Sequence, residues 1–479
     1  MPRIDEYEGQ DALGLAAWVR AGEVSPQELL EAAVARVEEL DPALNAVVIR
    51  AFEEGRKAIE SGLPDGPLRG VPWLLKDLHA AWTGVRLCNG SRFFAENVSD
   101  YDSELVARYK RAGLVLFGRT ASPEFGLTAT TESTLNGDTH NPWQLAHSAG
   151  GSSGGAAAAV AAGIVPAAHA TDGGGSIRVP ASCCGVFGMK PTRARVPSGP
   201  KLGEGWSGMS VQHAVSRSVR DSAALLDVAA GPELGDPYFA PPLPARGFLA
   251  EVGAAPGRLR IALQTRAFNG AEVDPDCVAA ARDAAELCRS LGHDVEEAEL
   301  SVDRELLAGA TGVIISANLR ATLLERGEQL GRAYTPDDLE PLTFLMAEGV
   351  KPREAADYAR AIRAIHAIGR RVSTFLERFD VVLSPTLATP PLPLGRLALT
   401  RTDLAGLLTD LTRTVGFTQL FNASGHPAMS VPLYWNAAGL PIGVQFAGRF
   451  GDEATLFRLA AQLETARPWF LRRPAVARN

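Results

Sequence analysis

The chain carries "SAGGSSGGAAAAVAAG" at Ser148–Gly163, followed without a break by "IVPAAHATDGGGSIRVPAS" at Ile164–Ser182. The apolar part, Ala156 to Ala170, is broken by Gly163 and Pro166. A membrane span needs about 20 consecutive apolar residues, so this stretch predicts a buried helix that stops at the glycine and turns into a buried strand. A helix feeding a strand in this way points to an α/β architecture.

The same alternation continues outward. Short apolar runs trade places with helical ones from "GVPWLLKD" (Gly70–Asp77) onward, which is the α/β pattern. "SPQE" at Ser25–Glu28 is a capping box with Pro at the first helical position, opening a helix expected to last to about Leu40. "VLFG" at Val115–Gly118 reads as a strand. Ser218 and Asp221 read as a second capping box, on a helix stopped by Gly231-Pro232. Arg258–Leu263, the helical "DPDCVAAARDAAELCRSLG" and His293–Val295 form a βαβ unit with Gly292 just past the helix. "FDVVLSPT" and "PAMSVPLYWNAAGLPIGVQFAG" supply later strands, and the Pro-rich Tyr238–Pro244 reads as a surface connection or a lobe boundary. "NPWQLAHSAGG", just before Ser152, reads as a loop.

Composition narrows the classes. The 479 residues are 46% hydrophobic, with 47 Lys and Arg against 55 Asp and Glu, a net charge of −8. No basic stripe is present, so no nucleic-acid partner is expected, and no membrane partner either. "MPRIDEYEGQ" has no apolar core of a secretory signal. The five cysteines are an odd number without metal spacing, so reduced thiols and a cytoplasmic protein are expected.

Two serines, Ser152 and Ser176, each sit in a nest of glycines. Three glycines before Ser176 let successive backbone N–H groups converge on one point, as an oxyanion hole requires. Lys76, at the end of an apolar run, is a candidate base, because burial lowers a lysine's pKa. The same residues also permit another reading. Gly150–Gly154 satisfies G-x-S-x-G, the strand-turn-helix nucleophile elbow, which would make Ser152 the nucleophile of an esterase served by His213, His293, His366 or His426. No phosphate-binding G-x-x-x-x-G-K-[ST] occurs anywhere in the chain.

Lys76 in "GVPWLLKD", Ser152 in "GGSSGG" and Ser176 in "TDGGGSIRVPAS", with "GVFGMKPT" closing the run at Thr192, resemble the amidase signature family of amide hydrolases. The likeness extends to "NPW" at Asn141, "SRSVRDSAALLD", "LSPT" and "NASGHPAMSVP". It implies a large mixed β-sheet core covered by helices on both faces. An N-terminal helical segment (1–65) would pack on a catalytic domain (66–479) that has a helical excursion near 300–375. It also implies Ser176 as nucleophile, Ser152 as the bridging serine after a cis Gly151–Ser152 bond, and Lys76 as the base. Gly173, Gly174 and Gly175 would form the oxyanion hole, with Asp172 and Arg178 as supports and Gly126, Thr128 and Gly151 at the substrate. No metal and no cofactor are expected, only a small-molecule amide, and the protein would be a monomer or homodimer.

Ala170 stands where the family often has Gly, and Gly173 where it has a bulky aliphatic, which should widen the oxyanion loop. "DGGGSIR", "CCGVFGMKP" and "EGWSGMSVQHAVSRSVRD" are most similar to the branch containing 6-aminohexanoate cyclic-dimer hydrolases. That branch implies a small, fairly apolar linear or cyclic amide as substrate. The A subunit of a tRNA-dependent amidotransferase shares the signature and is an alternative, although "RARVPSGPKLGEGWSGMS" is unlike its continuation. A non-catalytic binding protein on the same scaffold is a further one.

Overall fold

The computed structural model describes residues 6–477. The first five residues of the expected N-terminal helical segment lie outside them. Within that segment, Ser25 and Glu28 complete the expected capping box, and the helix Pro26–Leu44 runs one turn further than expected. It buries Leu29, Leu30, Ala33, Val34, Val37 and Leu44, a stripe at helical spacing. A short strand, β1 (Val47–Arg50), interrupts the helices here.

β1 belongs to a three-stranded sheet with β2 (Pro72–Lys76) and β3 (Val115–Thr120), in the order β1-β3-β2. β2 is parallel to β3 and is buried along its whole length, as an unbroken apolar run should be when both faces are covered. Lys76 is its last residue.

The principal sheet holds eight strands: β4 (Ala167–Asp172), β5 (Phe187–Lys190), β6 (Val211–Ser216), β7 (Arg260–Leu263), β8 (Asp294–Glu297), β9 (Val381–Pro385), β10 (Ala428–Trp435) and β11 (Pro441–Gly448). Their order is β8-β7-β9-β11-β10-β5-β6-β4. β7 pairs parallel with β8 and β9, and the neighbours from β9 to β4 pair antiparallel. The sheet is therefore mixed. The βαβ unit is β7, the helix Pro275–Ser290 and β8, with Gly292 at φ 92° after the helix.

Side-chain alternation shows that both faces are covered. Ile261, Leu263, Val381 and Leu383 enter one core with the helices Pro275–Ser290 and Glu453–Ala466. Ala262 and Val382, the residues between them, enter a second core with the helices Arg304–Leu330, Ala355–Phe375 and Gln419–Ser424. Arg304–Leu330 is long and apolar enough to cross a membrane by length and composition. Here it packs through Leu307, Ala310 and Ile314 on the second core.

Two local readings need correction. The stretch before Ser152 is not plain loop: His140–Asn141 and Gln144–Ser148 form a short antiparallel hairpin, because Asn141 Nδ2 gathers the carbonyls of Ser148 and Cys183. At the second capping box, Ser218 Oγ accepts from Asp221 N as expected. The Asp221 carboxylate, however, accepts from Ala12 N and Leu13 N at the start of the helix Ala12–Ala21, so it caps a different helix. Tyr238–Pro244 is largely exposed coil, and all five cysteines are buried and unpaired.

Candidate active site

The stretch Gly154–Asp172 folds as the helix Gly154–Ala161 followed by β4, both fully buried. Successive side chains of a strand point to opposite faces, so His169 and Thr171 of β4 share one face. That face meets the end of β2. Lys76 N donates to His169 Nδ1 at 3.2 Å, and the other ring nitrogen faces Gln212 Oε1 at 3.2 Å. A backbone donor on Nδ1 leaves the imidazole proton on Nε2, so the ring is neutral. Burial, with Lys76 beside it, pushes its pKa well down.

Lys76 itself is fully buried. Its Nζ lies 2.7 Å from Ser152 Oγ and 2.9 Å from Thr171 Oγ1. Burial holds its pKa well below the usual lysine range, against the opposing pull of Asp172 and Asp77. The adjacent Asp77 is itself shifted. Burial pushes its carboxyl up to about 6, opposed by Arg119 and by the backbone donors Cys88 N and Gly90 N. A neutral amine with a hydroxyl on each side can donate to one and accept from the other. Ser152 is 1% exposed, and the peptide bond before it, Gly151–Ser152, is cis.

Ser176 lies at the other nest and is partly exposed. Asp172 ties the two ends of the Gly173–Ser176 turn, since Oδ2 accepts from Ile177 N at 3.2 Å and Arg178 N at 3.4 Å. Arg178 pairs with the same carboxylate through Nε and NH2, both at 2.9 Å, and both side chains are fully buried. The remaining guanidinium donors go to Thr418 O, Gln445 Oε1 and Asn422 Oδ1. Burial alone would raise the Asp172 pKa, but Arg178 outweighs it and holds the carboxyl at about 2. Gly175 has φ 137°, where a side chain would be strained and its Cβ would meet Thr418. Thr418 Oγ1 donates to Gly174 O at 2.6 Å, which fixes the middle of the turn.

Ser176 opens on a cavity of about 190 Å³ that is also lined by Gly126, Thr128, Gly151, Gly174 and Gly175. Its walls are apolar: Leu127, Val179, Ile315, Met346, Leu411 and Val415 are among them, and among the described residues no charged side chain lines it. Thr128 lines the cavity, and its hydroxyl commits its one proton to Leu397 O at 2.8 Å, which leaves it only an acceptor. Trp206 and Gln419 are the other side chains with polar atoms on the wall. Among the described residues no three His, Cys, Asp or Glu side chains group as a metal site.

Sequence reasoning missed Thr171, Thr418, Asn422, Trp206 and Gln419. Thr171 had a readable signal, because a strand ending at Asp172 puts it on the same face as His169. The others come from distant segments, and no spacing links them to the serines.

The amidase family matches residues 28–457 of this chain. The 6-aminohexanoate-cyclic-dimer hydrolase of Pseudomonas sp. (strain NK87) is 40% identical over 99% of this chain and 98% of its own. A solved structure of 6-aminohexanoate cyclic dimer hydrolase superimposes with a TM-score of 0.92 at 39% identity, covering 98% of this chain and 99% of that one. A bacterial aryl acylamidase of the amidase signature enzymes superimposes with a TM-score of 0.86 at 28% identity, covering 96% of each chain.

Proposed function

The chain belongs to the amidase signature family, and from that premise we propose that it hydrolyses a small uncharged amide, linear or cyclic, through an acyl-enzyme on Ser176. Neutral Lys76 takes the proton of Ser152, Ser152 takes that of Ser176, and Ser176 Oγ attacks the amide carbonyl. Backbone N–H groups of the Gly173–Ser176 turn receive the developing oxyanion, each such donor being worth about 3 kcal/mol. The relay returns the proton to the departing amine. Water then attacks the acyl-enzyme by the same route, releasing the carboxylic acid and restoring Ser176.

The observation that carries this reading is the 2.7 Å contact of a fully buried lysine with Ser152, beside a pocket onto which Ser176 opens. Asp172 and Arg178 act as supports in it, since their polar atoms are spent on each other and on the loop. The cavity's lack of charge favours a neutral substrate, because an ammonium or carboxylate would lose its hydration there without a partner. A cyclic dimer of 6-aminohexanoate, the compound named for the relatives at about 40% identity, has that character. An esterase acting through Ser152 is disfavoured because that hydroxyl is buried and paired with an amine rather than an imidazole.

The test is intact-protein mass spectrometry after exposure to a fluorophosphonate. Wild type should gain one adduct, Ser176→Ala none, and Ser152→Ala the adduct at a reduced rate. An adduct that survives Ser176→Ala and disappears in Ser152→Ala would overturn the assignment of the nucleophile.

A further inference from the structure

The widened oxyanion loop expected from Gly173 is not left open. A Cβ on Gly173 would lie 2.6 Å from Trp206 Cζ3 and 2.7 Å from Cε3, so the indole edge rests against the glycine's backbone. The same ring lines the cavity with Ser176. The side chain that is missing at position 173 has been replaced by one that arrives from another segment.

The segment that delivers Trp206 is built for the purpose. Trp206 and Ser207 have φ of 48° and 55°, in the left-handed region that bulky residues avoid, and Gly208 follows at 78°. Such strain persists only where surrounding contacts over-determine it, and it clusters at functional sites. Here Gly205 O accepts from Gly208 N and Ser210 N, and Trp206 O accepts from Met209 N. Ser207 Oγ lies 2.5 Å from Tyr358 OH on the helix Ala355–Phe375. Asn422 Nδ2 donates to Met209 O at 3.1 Å and also to Asp172 O and Oδ1, which links this turn to the nucleophile turn. Trp206 is partly exposed, and its indole N–H has no protein partner among the described residues, so both ring and donor remain available to a ligand.

We propose that Trp206 is a specificity-determining residue, an aromatic wall beside the reacting carbonyl that Gly173 makes room for. This rests on the amidase reading above. The wall accepts an unbranched methylene chain lying along the indole face and rejects a branch at the carbon next to the carbonyl. Positions 173 and 206 share one volume: a methyl on the glycine would drive the ring into the pocket, and a smaller residue at 206 would leave space for that methyl.

The experiment compares kcat/KM for two isomeric p-nitroanilides, hexanoyl and 2-ethylbutanoyl, in wild type, Trp206→Ala, Trp206→Phe, Gly173→Ala and the double variant Gly173→Ala/Trp206→Ala. The ratio of the two substrates is internal to each variant, so a general loss of active protein cancels. The hexanoyl preference of wild type should fall about tenfold in Trp206→Ala and less in Trp206→Phe. Gly173→Ala should slow both isomers, and the double variant should be faster on both than Gly173→Ala alone. A ratio within twofold of wild type in Trp206→Ala, or a double variant as slow as the product of the single effects, would overturn the proposal. Fluorophosphonate labelling of Ser176 separates the two failures. Labelled wild type that turns over both isomers with a ratio indifferent to position 206 counts against Trp206 alone. Wild type that neither labels at Ser176 nor turns over either anilide sinks the amidase reading with it.

Discussion

Lys76 and Lys190 are both buried, 0% and 1% exposed, and each is the last residue of a strand, β2 and β5. Burial lowers the pKa of both, Lys76 well below its usual range and Lys190 to about 7. Their partners differ. Lys190 Nζ donates to Pro191 O at 2.8 Å, and a carbonyl has no proton to give back. Lys76 lies between the hydroxyls of Ser152 and Thr171, which both donate and accept. A depressed pKa makes an amine available as a base, and a neighbouring O–H makes it useful. By that criterion Lys76, of the two, can start a proton relay.

The sharpest way to break this contrast is to remove each amine in turn. Lys76→Met should reduce kcat by about a thousandfold, within the range for losing a general base. Lys190→Met should stay within roughly fivefold of wild type, because one hydrogen bond to a carbonyl is worth about 1 kcal/mol. Steady-state kinetics on one anilide measure both. Equal losses in the two variants would end the distinction.

The pH profile examines the same point in the unaltered protein. The active form of Lys76 is the neutral one, so the rate should rise with pH as the proton leaves and then level off. Burial places that rise well below 10.5. A rate flat from acid to alkaline pH would remove the lysine from the mechanism. Thr171→Val should have a smaller effect. It takes away one acceptor from Lys76 Nζ, a hydrogen bond of about 1 kcal/mol, and should lower kcat roughly fivefold while leaving KM nearly unchanged. A change confined to KM would mean that Thr171 shapes the pocket and does not orient the amine.

Much of this was legible where the physics is local. Gly163 and Pro166 mark the turn from helix to strand whatever surrounds them, and Ser25 caps its helix with a partner three residues away. Lys76 and Ser152 were nameable from their motifs, though not the distance between them. What depended on distant chain was hidden. Asp221 has the spacing of a capping box, yet it serves a helix some 210 residues earlier in the sequence. The order of the eight-stranded sheet, which sets β4 against β6 and brings its edge to β2, has no counterpart in any short pattern. Gly173 showed that space was available, but nothing near it in sequence showed that Trp206 would fill it.

The smallest expected effect separates the two lysines through stability. The Lys190 pKa is about 7 in the folded protein and 10.5 in a free chain. Between those values the unfolded chain binds a proton that the folded one does not, so folding stability climbs with pH across that window. Below pH 7 the folded protein must carry the buried charge, and the climb ends. Lys190→Met removes the group from both states. Its Tm should therefore rise less than that of wild type between pH 7 and pH 10, by a few degrees at most, in calorimetric scans at several pH values. Lys76 contributes its own slope, but it is present in both proteins and cancels in the comparison. Parallel curves would mean that Lys190 keeps its proton when folded, held by the Pro191 carbonyl and the nearby Asp172. In that case burial alone does not neutralise an amine in this core, and the hydroxyls beside Lys76 carry the whole of the difference between the two sites.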